Sequence, residues 1–283
     1  MPVIHPETHI GYVQIKVSHL AESVAFYRDV IGLKVLGQNA STAEMSADGK
    51  SPLVILEEVP GAVRIPERSA AGLYHFAILL PSRKELGFAL RHLAEHRVPI
   101  GQGDHLVSEA LYLNDPDGNG IEIYADRPRD TWQKDKSGHY IMATDPVDWE
   151  SLLALAGDEA WSGMPAGAVI GHVHFHVGDL KEAERFYCEL LGFEITLRFG
   201  PSALFIAAGG YHHHIGLNTW AGSGVRPAPA NGTGLRWFTL VLPDEGELKR
   251  VIGLLQQNGI VVEERPDGFF VQDPWQIGIV LTV

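Results

Sequence analysis

The stretch from residue 103 to residue 122, GDHLVSEALYLNDPDGNGIE, contains three reactive side chains that ordinary packing does not require. His105 is followed by Tyr112, then by an Asp-Pro-Asp-Gly turn, and then by Glu122 between two isoleucines. A β-hairpin explains the turn. It does not explain a carboxylate in an apolar strand, which needs a partner if it is buried. Imidazole, phenol and carboxylate groups together can bind a metal ion and move protons.

Further histidines occur in segments with the alternation of β-strands, where every second side chain shares a face. In HVHFHV, residues 172–177, the apolar side chains predict one packed face, and His172 and His174 share the other face. The same alternation directs His75 and Glu122 away from the helices that cover their strands. We therefore expect the ionisable groups to collect on the face of the sheet that carries no helix.

A third histidine group lies in GYHHHIGLN, which we interpret as part of a hairpin. Ile215 and Leu217 are predicted to be packed. If the alternation extends back through the histidines, His212 and His214 lie on the open face and His213 points to the helix side.

Two imidazoles and one carboxylate on neighbouring strands can hold a non-haem Fe(II) on one side and leave positions open for substrate and dioxygen. A zinc site can use similar groups. The single cysteine excludes a thiolate cluster, and no P-loop or Gly-x-Ser-x-Gly motif is present. Taken singly, each feature has an ordinary structural explanation. His75 would be a core histidine, Glu122 a surface glutamate, and the histidines of HVHFHV part of a solvated face.

An internal repeat indicates which elements position these groups. Residues 10–35 match residues 170–195 at a constant offset, and GLYHFAILLPSRKEL from Gly72 matches GLRWFTLVLPDEGEL from Gly234. Each unit reads as an alternating strand, an amphipathic helix and three short strands. The sequence therefore predicts an α+β protein of four βαβββ units.

The repeat also predicts a domain organisation. Residues 1–126 form a first domain of two units, and residues 168–283 form a second. Residues 127–167 are polar and rich in proline and glycine, so we interpret them as a connector with one helix beginning at Asp145-Pro146.

The spacing of the motif in residues 103–122 resembles the signature of the extradiol ring-cleavage dioxygenases. The repeated units resemble the wider vicinal-oxygen-chelate superfamily, which includes glyoxalase I and bleomycin-resistance proteins. Among these, the chain is most similar to two-domain enzymes of the catechol 2,3-dioxygenase type. The resemblance implies two vicinal-oxygen-chelate domains, an Fe(II) centre with Mn(II) as the alternative metal, and a catechol-like aromatic diol and O2 as substrates.

The resemblance implies that His75, Glu122 and His172 are the metal ligands. In better-known two-domain relatives the signature lies in the C-terminal half, whereas here it lies in unit two. Unit four has Trp237 and Val280 where unit two has His75 and Glu122. A complete ligand set therefore requires unit two to face unit three.

The resemblance also assigns groups beyond the ligands. His214 resembles the histidine that handles protons on bound substrate and oxygen. His105 and Tyr112 resemble a pair that hydrogen-bonds the substrate near the metal. We expect His174 and His212 to line the substrate pocket.

Composition excludes several other classes. The net charge of −13 argues against nucleic acid and anionic membrane surfaces as partners. No segment is apolar and long enough to cross a bilayer, and the N-terminal residues lack the pattern of a signal peptide. With Cys188 as the only cysteine, no intrachain disulfide can form, so a cytoplasmic location is expected. Assembly as a homo-oligomer is left open.

Two rival functions use the same fold. A glyoxalase-like lyase or isomerase usually has a fourth ligand, a carboxylate in the third-unit hairpin, where this chain offers Asn218 but no Asp or Glu. A non-catalytic ligand-sequestering protein of the bleomycin-resistance kind has no need of two histidines and a glutamate together. The metal content of the purified protein separates this last class from the other two.

Overall fold

The first half of the chain contains the two predicted units, as seen in a computed structural model that describes residues 3–283. Unit one consists of β1 (His9–Val17), α1 (Leu20–Asp29), β2 (Lys34–Gln38), β3 (Thr42–Ser46) and β4 (Val54–Glu58). Unit two consists of β5 (Gly72–Leu79), α2 (Arg83–Glu95), β6 (Gly101–Asp104), β7 (Ser108–Asn114) and β8 (Gly120–Asp126). The connector contains a 3-10 turn (Arg129–Thr131) and α3 (Trp149–Ala156).

The second half repeats the same order, so the predicted α+β class with four βαβββ units is confirmed. Unit three consists of β9 (Val169–His176), α4 (Leu180–Glu184), a π-helical segment (Arg185–Leu190), β10 (Glu194–Phe199), β11 (Ala203–Ala207) and β12 (Ile215–Asn218). Unit four consists of β13 (Gly234–Val241), α5 (Glu245–Gln257), β14 (Glu263–Arg265), β15 (Gly268–Gln272) and β16 (Gly278–Thr282). Among residues 3–283, no helix is both long and apolar enough to span a membrane.

The units combine across the two halves of the chain into two sheets of eight strands each. Strand β5 of unit two runs antiparallel to β9 of unit three, and β1 of unit one runs antiparallel to β13 of unit four. We call these the 2/3 sheet and the 1/4 sheet. Unit two therefore faces unit three, as a complete ligand set requires.

Each sheet takes strands from both halves of the chain. The boundaries at residues 126 and 168 follow the sequence repeat, and as domain boundaries they stay a prediction. Residues 1 and 2 of the first predicted domain lie outside the described residues.

The helices cover one face of each sheet, and the sequence explains where they begin and end. The Asp179 carboxylate accepts hydrogen bonds from the backbone N–H groups of Lys181 and Glu182, which lack partners within the first turn of α4. Gly32 and Gly192 follow the helices of units one and three with φ angles of 84° and 93°. Glycine adopts this left-handed conformation without steric cost, so each glycine favours the end of the helix that precedes it.

Each half is also held together by a tyrosine that reaches a buried aspartate. The Tyr27 hydroxyl donates to Asp115 over 3.2 Å, and the Tyr187 hydroxyl donates to Asp273 over 3.0 Å. Both tyrosines lie on the helix of the first unit of their half, and both aspartates begin the Asp-Pro turn of the second. Tyrosine and aspartate therefore link one sheet to the other within each half of the chain.

The connector packs against unit two instead of running free. Its helix begins at Trp149, later than predicted at Asp145-Pro146, because the Asp148 carboxylate accepts the Ser151 N–H and caps the first turn. Helix α3 lies so close to α2 that a Cβ atom on Gly87 would be 2.4 Å from the Leu152 carbonyl oxygen. Glycine at position 87 is what permits this contact.

Two helical glycines give a test of this packing. We expect Gly87→Ala to lower the free energy of unfolding by about 1–3 kcal/mol, because the new methyl group displaces α3. Gly253→Ala in α5 is the matched control, since no atom beyond the backbone of its own helix lies within 4 Å of the position that the new methyl group would take. That variant should gain about 0.5–1 kcal/mol from helix propensity. Denaturant unfolding measures both, and equal effects of the two substitutions would contradict the close packing of α2 on α3.

Candidate metal centre

Three predicted ligands meet on the open face of the 2/3 sheet. One donor atom from each of His75, Glu122 and His172 lies within 4.8 Å of the other two. The Nε2 atoms of both histidines are 3.1 Å from Oε2 of Glu122. Within residues 3–283 this is the one group of three such side chains with metal-binding geometry, and all three are buried.

The register of three strands brings these side chains together. Strand β5 is central, with β8 parallel on one side and β9 antiparallel on the other. Ala77 on β5 is opposite both Glu122 and His172, and His75 precedes it by two residues on the same face. Ala77 itself is fully buried and packs with Ala110 and Tyr124.

The charges of the group fit a divalent cation. Burial raises the pKa of the Glu122 carboxyl, but His172 and His75 outweigh this effect and hold that pKa well below its ordinary value. Burial lowers the pKa of His172 to about 4, against the opposing effect of Glu122. The set therefore offers an anionic carboxylate and a neutral imidazole, the forms that bind metal ions. Nε2 of His75 is buried and, although it lies 3.1 Å from Oε2 of Glu122, makes no hydrogen bond of normal geometry, as expected of an atom placed to bind a metal.

His105 and Tyr112 form a pair beside the ligands, as the sequence predicts. The Tyr112 oxygen lies 2.6 Å from Nε2 of His105, and Nδ1 of His105 lies 2.7 Å from the Ala143 carbonyl oxygen. Since the carbonyl can only accept, Nδ1 of His105 carries a proton and, in the neutral ring, Nε2 accepts the Tyr112 hydroxyl proton. The centroids of the Tyr112 and His75 rings are 5.7 Å apart. Burial raises the pKa of Tyr112 well above its ordinary value, and the nearby Glu122 carboxylate adds to this effect.

The orientation predicted for the three consecutive histidines is wrong at His213. Its ring packs on His172 with 4.1 Å between the ring centroids and also contacts Phe205. The His214 ring instead packs on Tyr211, and its Nδ1 accepts the Ala208 N–H. Strand β12 begins only at Ile215, so strand alternation could not be extended back into the preceding turn.

His212, predicted to line the pocket, lies behind His213. Its Nε2 is 2.9 Å from a carboxylate oxygen of Asp126, and its Nδ1 is 2.7 Å from Nδ1 of His213. A neutral His212 donates to Asp126 and accepts the Nδ1 proton of His213, which leaves Nε2 of His213 unprotonated. Neither the position of His213 nor the part of Asp126 follows from the sequence, and no sequence signal marks Asp126 beyond its position at the end of the β8 strand.

His174, the other predicted pocket residue, lies on the far side of His75, with 5.0 Å between the ring centroids. Its Nε2 accepts a hydrogen bond of 2.9 Å from the Asn218 amide. Tyr74 and Trp220 pack against the same imidazole at 5.2 and 5.5 Å. These aromatic rings form a wall beside the ligand group.

The sequence and fold define the class of this protein. The model of the Glyoxalase/Bleomycin resistance protein/Dioxygenase superfamily matches residues 9–123 and 169–279. The chain belongs to this superfamily, and the resemblance seen in the sequence is confirmed.

The most informative relative is a catechol-2,3-dioxygenase of Bacillus subtilis (strain 168). It is 56% identical over 275 residues, which cover 97% of this chain and 96% of that protein. Biphenyl-2,3-diol 1,2-dioxygenase 3 of Rhodococcus globerulus is 31% identical over 123 residues, 41% of this chain and 63% of the relative.

Solved structures share the fold at low sequence identity. A putative dioxygenase from Bacillus subtilis superimposes with a TM-score of 0.68 at 14% identity, covering 99% of this chain and 86% of the other. Glyoxalase I from Zea mays gives a TM-score of 0.57 at 14% identity, covering 97% and 92%.

Substitution of the carboxylate tests the metal centre. We expect Glu122→Gln to lower metal affinity by more than about 100-fold, beyond the effect typical of residues that only support ligands. The fold should persist, because the amide has the same shape and the position faces the open side of the sheet. Glu57→Gln on the 1/4 sheet is the control and should retain metal. Metal content by mass spectrometry measures both, and retention by Glu122→Gln would contradict the assignment.

Proposed function

We propose that this protein is an extradiol dioxygenase that opens a catechol-like aromatic ring beside the diol, using Fe(II) held by His75, Glu122 and His172. The observation that carries the proposal is the convergence of these three residues with the His105–Tyr112 pair and with His213 on one buried face. The activity named for the relative from Bacillus subtilis belongs to the same class.

When bound by these residues, Fe(II) supplies a centre at which the diol and dioxygen meet and through which electrons pass between them. Two imidazoles and one carboxylate would leave other coordination positions for both substrates. Mn(II) prefers overlapping ligand types and remains the alternative metal.

His213 is the group we assign to proton transfer. It packs directly on His172, and its Nδ1 is committed to His212. Asp126 fixes His212 in turn, so Nε2 of His213 is the nitrogen that takes the substrate hydroxyl proton and later returns it. In this proposal His213 transfers the proton, and not His214 as predicted from the sequence.

Tyr112 and His105 orient the substrate in this proposal. With its own proton directed to His105, the Tyr112 oxygen can accept a hydrogen bond from a substrate hydroxyl. Beside this pair lies a cavity of about 310 Å³ lined by residues that include Tyr74, His75 and Ile100. That volume is at the small end of ligand pockets and suits a single substituted ring.

The rival isomerase function gains no support from the third-unit hairpin. Strand β12 of that hairpin contains Asn218 and no carboxylate, and the Asn218 side chain hydrogen-bonds His174 and His176 over 2.9 and 2.6 Å. We retain the dioxygenase proposal, and with it an aromatic diol and O2 as partners. A reducing, cytoplasmic compartment is also part of the proposal.

The decisive test of function is anaerobic loading with Fe(II), followed by catechol and then oxygen. We expect a yellow ring-opened product and uptake of one O2 per catechol, because both oxygen atoms enter the product. Loading with Mn(II) or Zn(II) in parallel identifies the metal. Retention of iron without oxygen uptake, across several substituted catechols, would contradict the proposal.

Substitution of two adjacent histidines, one at a time, tests which of them transfers the proton. We expect His213→Asn to slow turnover by about 10²–10⁴-fold, as for loss of a general acid–base group. His214→Asn should retain most activity, since its ring makes no ring contact with His172 within the described residues. Both variants should keep iron. The reverse ranking, or loss of iron in parallel with activity in His213→Asn, would return the role to His214 or make His213 a ligand.

The support of His213 by His212 can be tested at Asp126. We expect Asp126→Asn to lower kcat roughly tenfold or more, because the amide no longer fixes the His212 proton on Nε2. Nitrogen-15 NMR of the histidine rings should show a changed tautomer at His213 in the metal-free protein. Asp130→Asn, on an exposed neighbour, is the control. An unchanged His213 tautomer in the Asp126 variant would exclude this support.

A further inference from the structure

The larger cavity of the molecule lies away from the three ligands. It has a volume of about 1010 Å³ and includes residues from the open face of the 1/4 sheet, such as Gln14, Lys16, Arg236, Trp237 and Phe270. That volume reaches the upper range of small-molecule pockets. The lining also includes Tyr74 and His176 of the 2/3 sheet but none of the three ligands.

The strand registers of the two sheets match position by position. This match identifies which residues of the 1/4 sheet correspond to the metal-ligand positions of the 2/3 sheet. Gln14 is opposite Trp237 in the 1/4 sheet, as His174 is opposite His75 in the 2/3 sheet. Two residues further along each first strand, Lys16 therefore occupies the position of His176. The open face of the 1/4 sheet is still polar, and it carries charges of both signs, with Lys16 and Arg236 beside Glu57.

Lys16 is the unusual member of this face. Its side chain is buried, with 8% of the residue exposed, and its Nζ donates only to the Ala230 carbonyl oxygen over 3.3 Å. Among the described residues, no carboxylate oxygen lies within 4.0 Å of this ammonium group. Buried charges in proteins are normally paired, so an unpaired ammonium at a cavity wall indicates a missing anion.

The nearest carboxylate in the strand register is already engaged. Glu57 lies opposite Lys16 on β4, but its Oε2 accepts hydrogen bonds from Arg236 over 2.9 Å and from Gln14 over 2.8 Å. Burial and neighbouring Arg236 lower the pKa of Lys16, and Glu57 opposes them only in part. Glu57 is therefore matched to Arg236, and Lys16 is left without a partner of its own.

Aromatic groups line the same cavity. The Arg265 guanidinium lies 3.6 Å from the Phe270 ring centroid and is paired with Glu263, so its charge is already compensated. Trp237 lines the cavity as well, and its indole N–H is buried without a hydrogen-bond partner. Flat apolar surface, one unpaired cation and one free N–H donor are the complement of a small planar carboxylate.

We propose that the 1/4 sheet forms a second binding site, separate from the metal centre, for a small organic carboxylate with a flat apolar body. Lys16 binds the carboxylate, and Trp237 and Phe270 contact the body of the ligand. This inference goes beyond the proposed function and does not depend on it.

Fluorobenzoate is a suitable probe, and fluorobenzamide is its uncharged counterpart of the same shape. Fluorine-19 NMR titration of the metal-free protein measures both. We expect fluorobenzoate to bind and fluorobenzamide to bind at least about tenfold more weakly, because a hydrogen bond to a charged group contributes about 1.5–3 kcal/mol. Equal binding of the two probes, or no binding of fluorobenzoate, would overturn the proposal.

Variants locate the site. Lys16→Met should weaken fluorobenzoate binding at least about tenfold, whereas Lys34→Met, at an exposed lysine on β2, should not. Glu122→Gln should leave the binding unchanged, and loss of binding in that variant would place the probe at the metal centre instead. If Lys16→Met does not fold, nuclear Overhauser contacts between the probe and the Trp237 or Phe270 ring in the unsubstituted protein decide the question, and their absence would overturn the proposal.

Discussion

The antiparallel pairing of β5 with β9 is the contact on which the metal centre depends. It joins strands that are about a hundred residues apart in the sequence and belong to different halves of the chain. Through it, His172 arrives opposite Ala77 and next to the strand that carries Glu122. A shift of one residue in this register would turn the histidines of β9 to the helix side. The apolar positions of the strand, among them Phe175 at the centre of the core, therefore fix the ligand geometry as a consequence of ordinary packing.

The grouping of ligands has a thermodynamic consequence for the fold. A carboxylate buried between two imidazoles loses hydration, but the imidazoles more than offset the effect of burial on its pKa. A cation bound by the native arrangement would add a further favourable interaction with the carboxylate. Since the unfolded chain has no such arrangement, metal binding stabilises the native state in proportion to its affinity. Function and stability are thus coupled at Glu122, whereas the contact of Tyr27 with Asp115 contributes to the fold alone.

Much of this architecture could be predicted from the sequence, because repeats and alternation are local signals. The four units and the shared face of His75 and Glu122 follow from residue types and spacing. The position of His213 could not be predicted, since the turn before β12 interrupts the alternation and only tertiary contacts decide which imidazole reaches His172. Asp126 was missed for a related reason. Its partner His212 is 86 residues away in the chain, and no local pattern records a pair at that separation.

The two sheets have matched registers but different chemistry, which shows how little of the fold depends on the ligands. Trp237 and Val280 occupy the positions of His75 and Glu122, and the strands around them pair in the same way. The helix-facing residues of the two sheets remain apolar in both, so packing maintains each sheet whatever its open face carries. Open-face positions are consequently free to change as long as buried charges find partners. In the 2/3 sheet the proposed metal would meet that condition. In the 1/4 sheet it is met for Arg236 by Glu57, and the same requirement is what makes Lys16 the position from which a second ligand can be inferred.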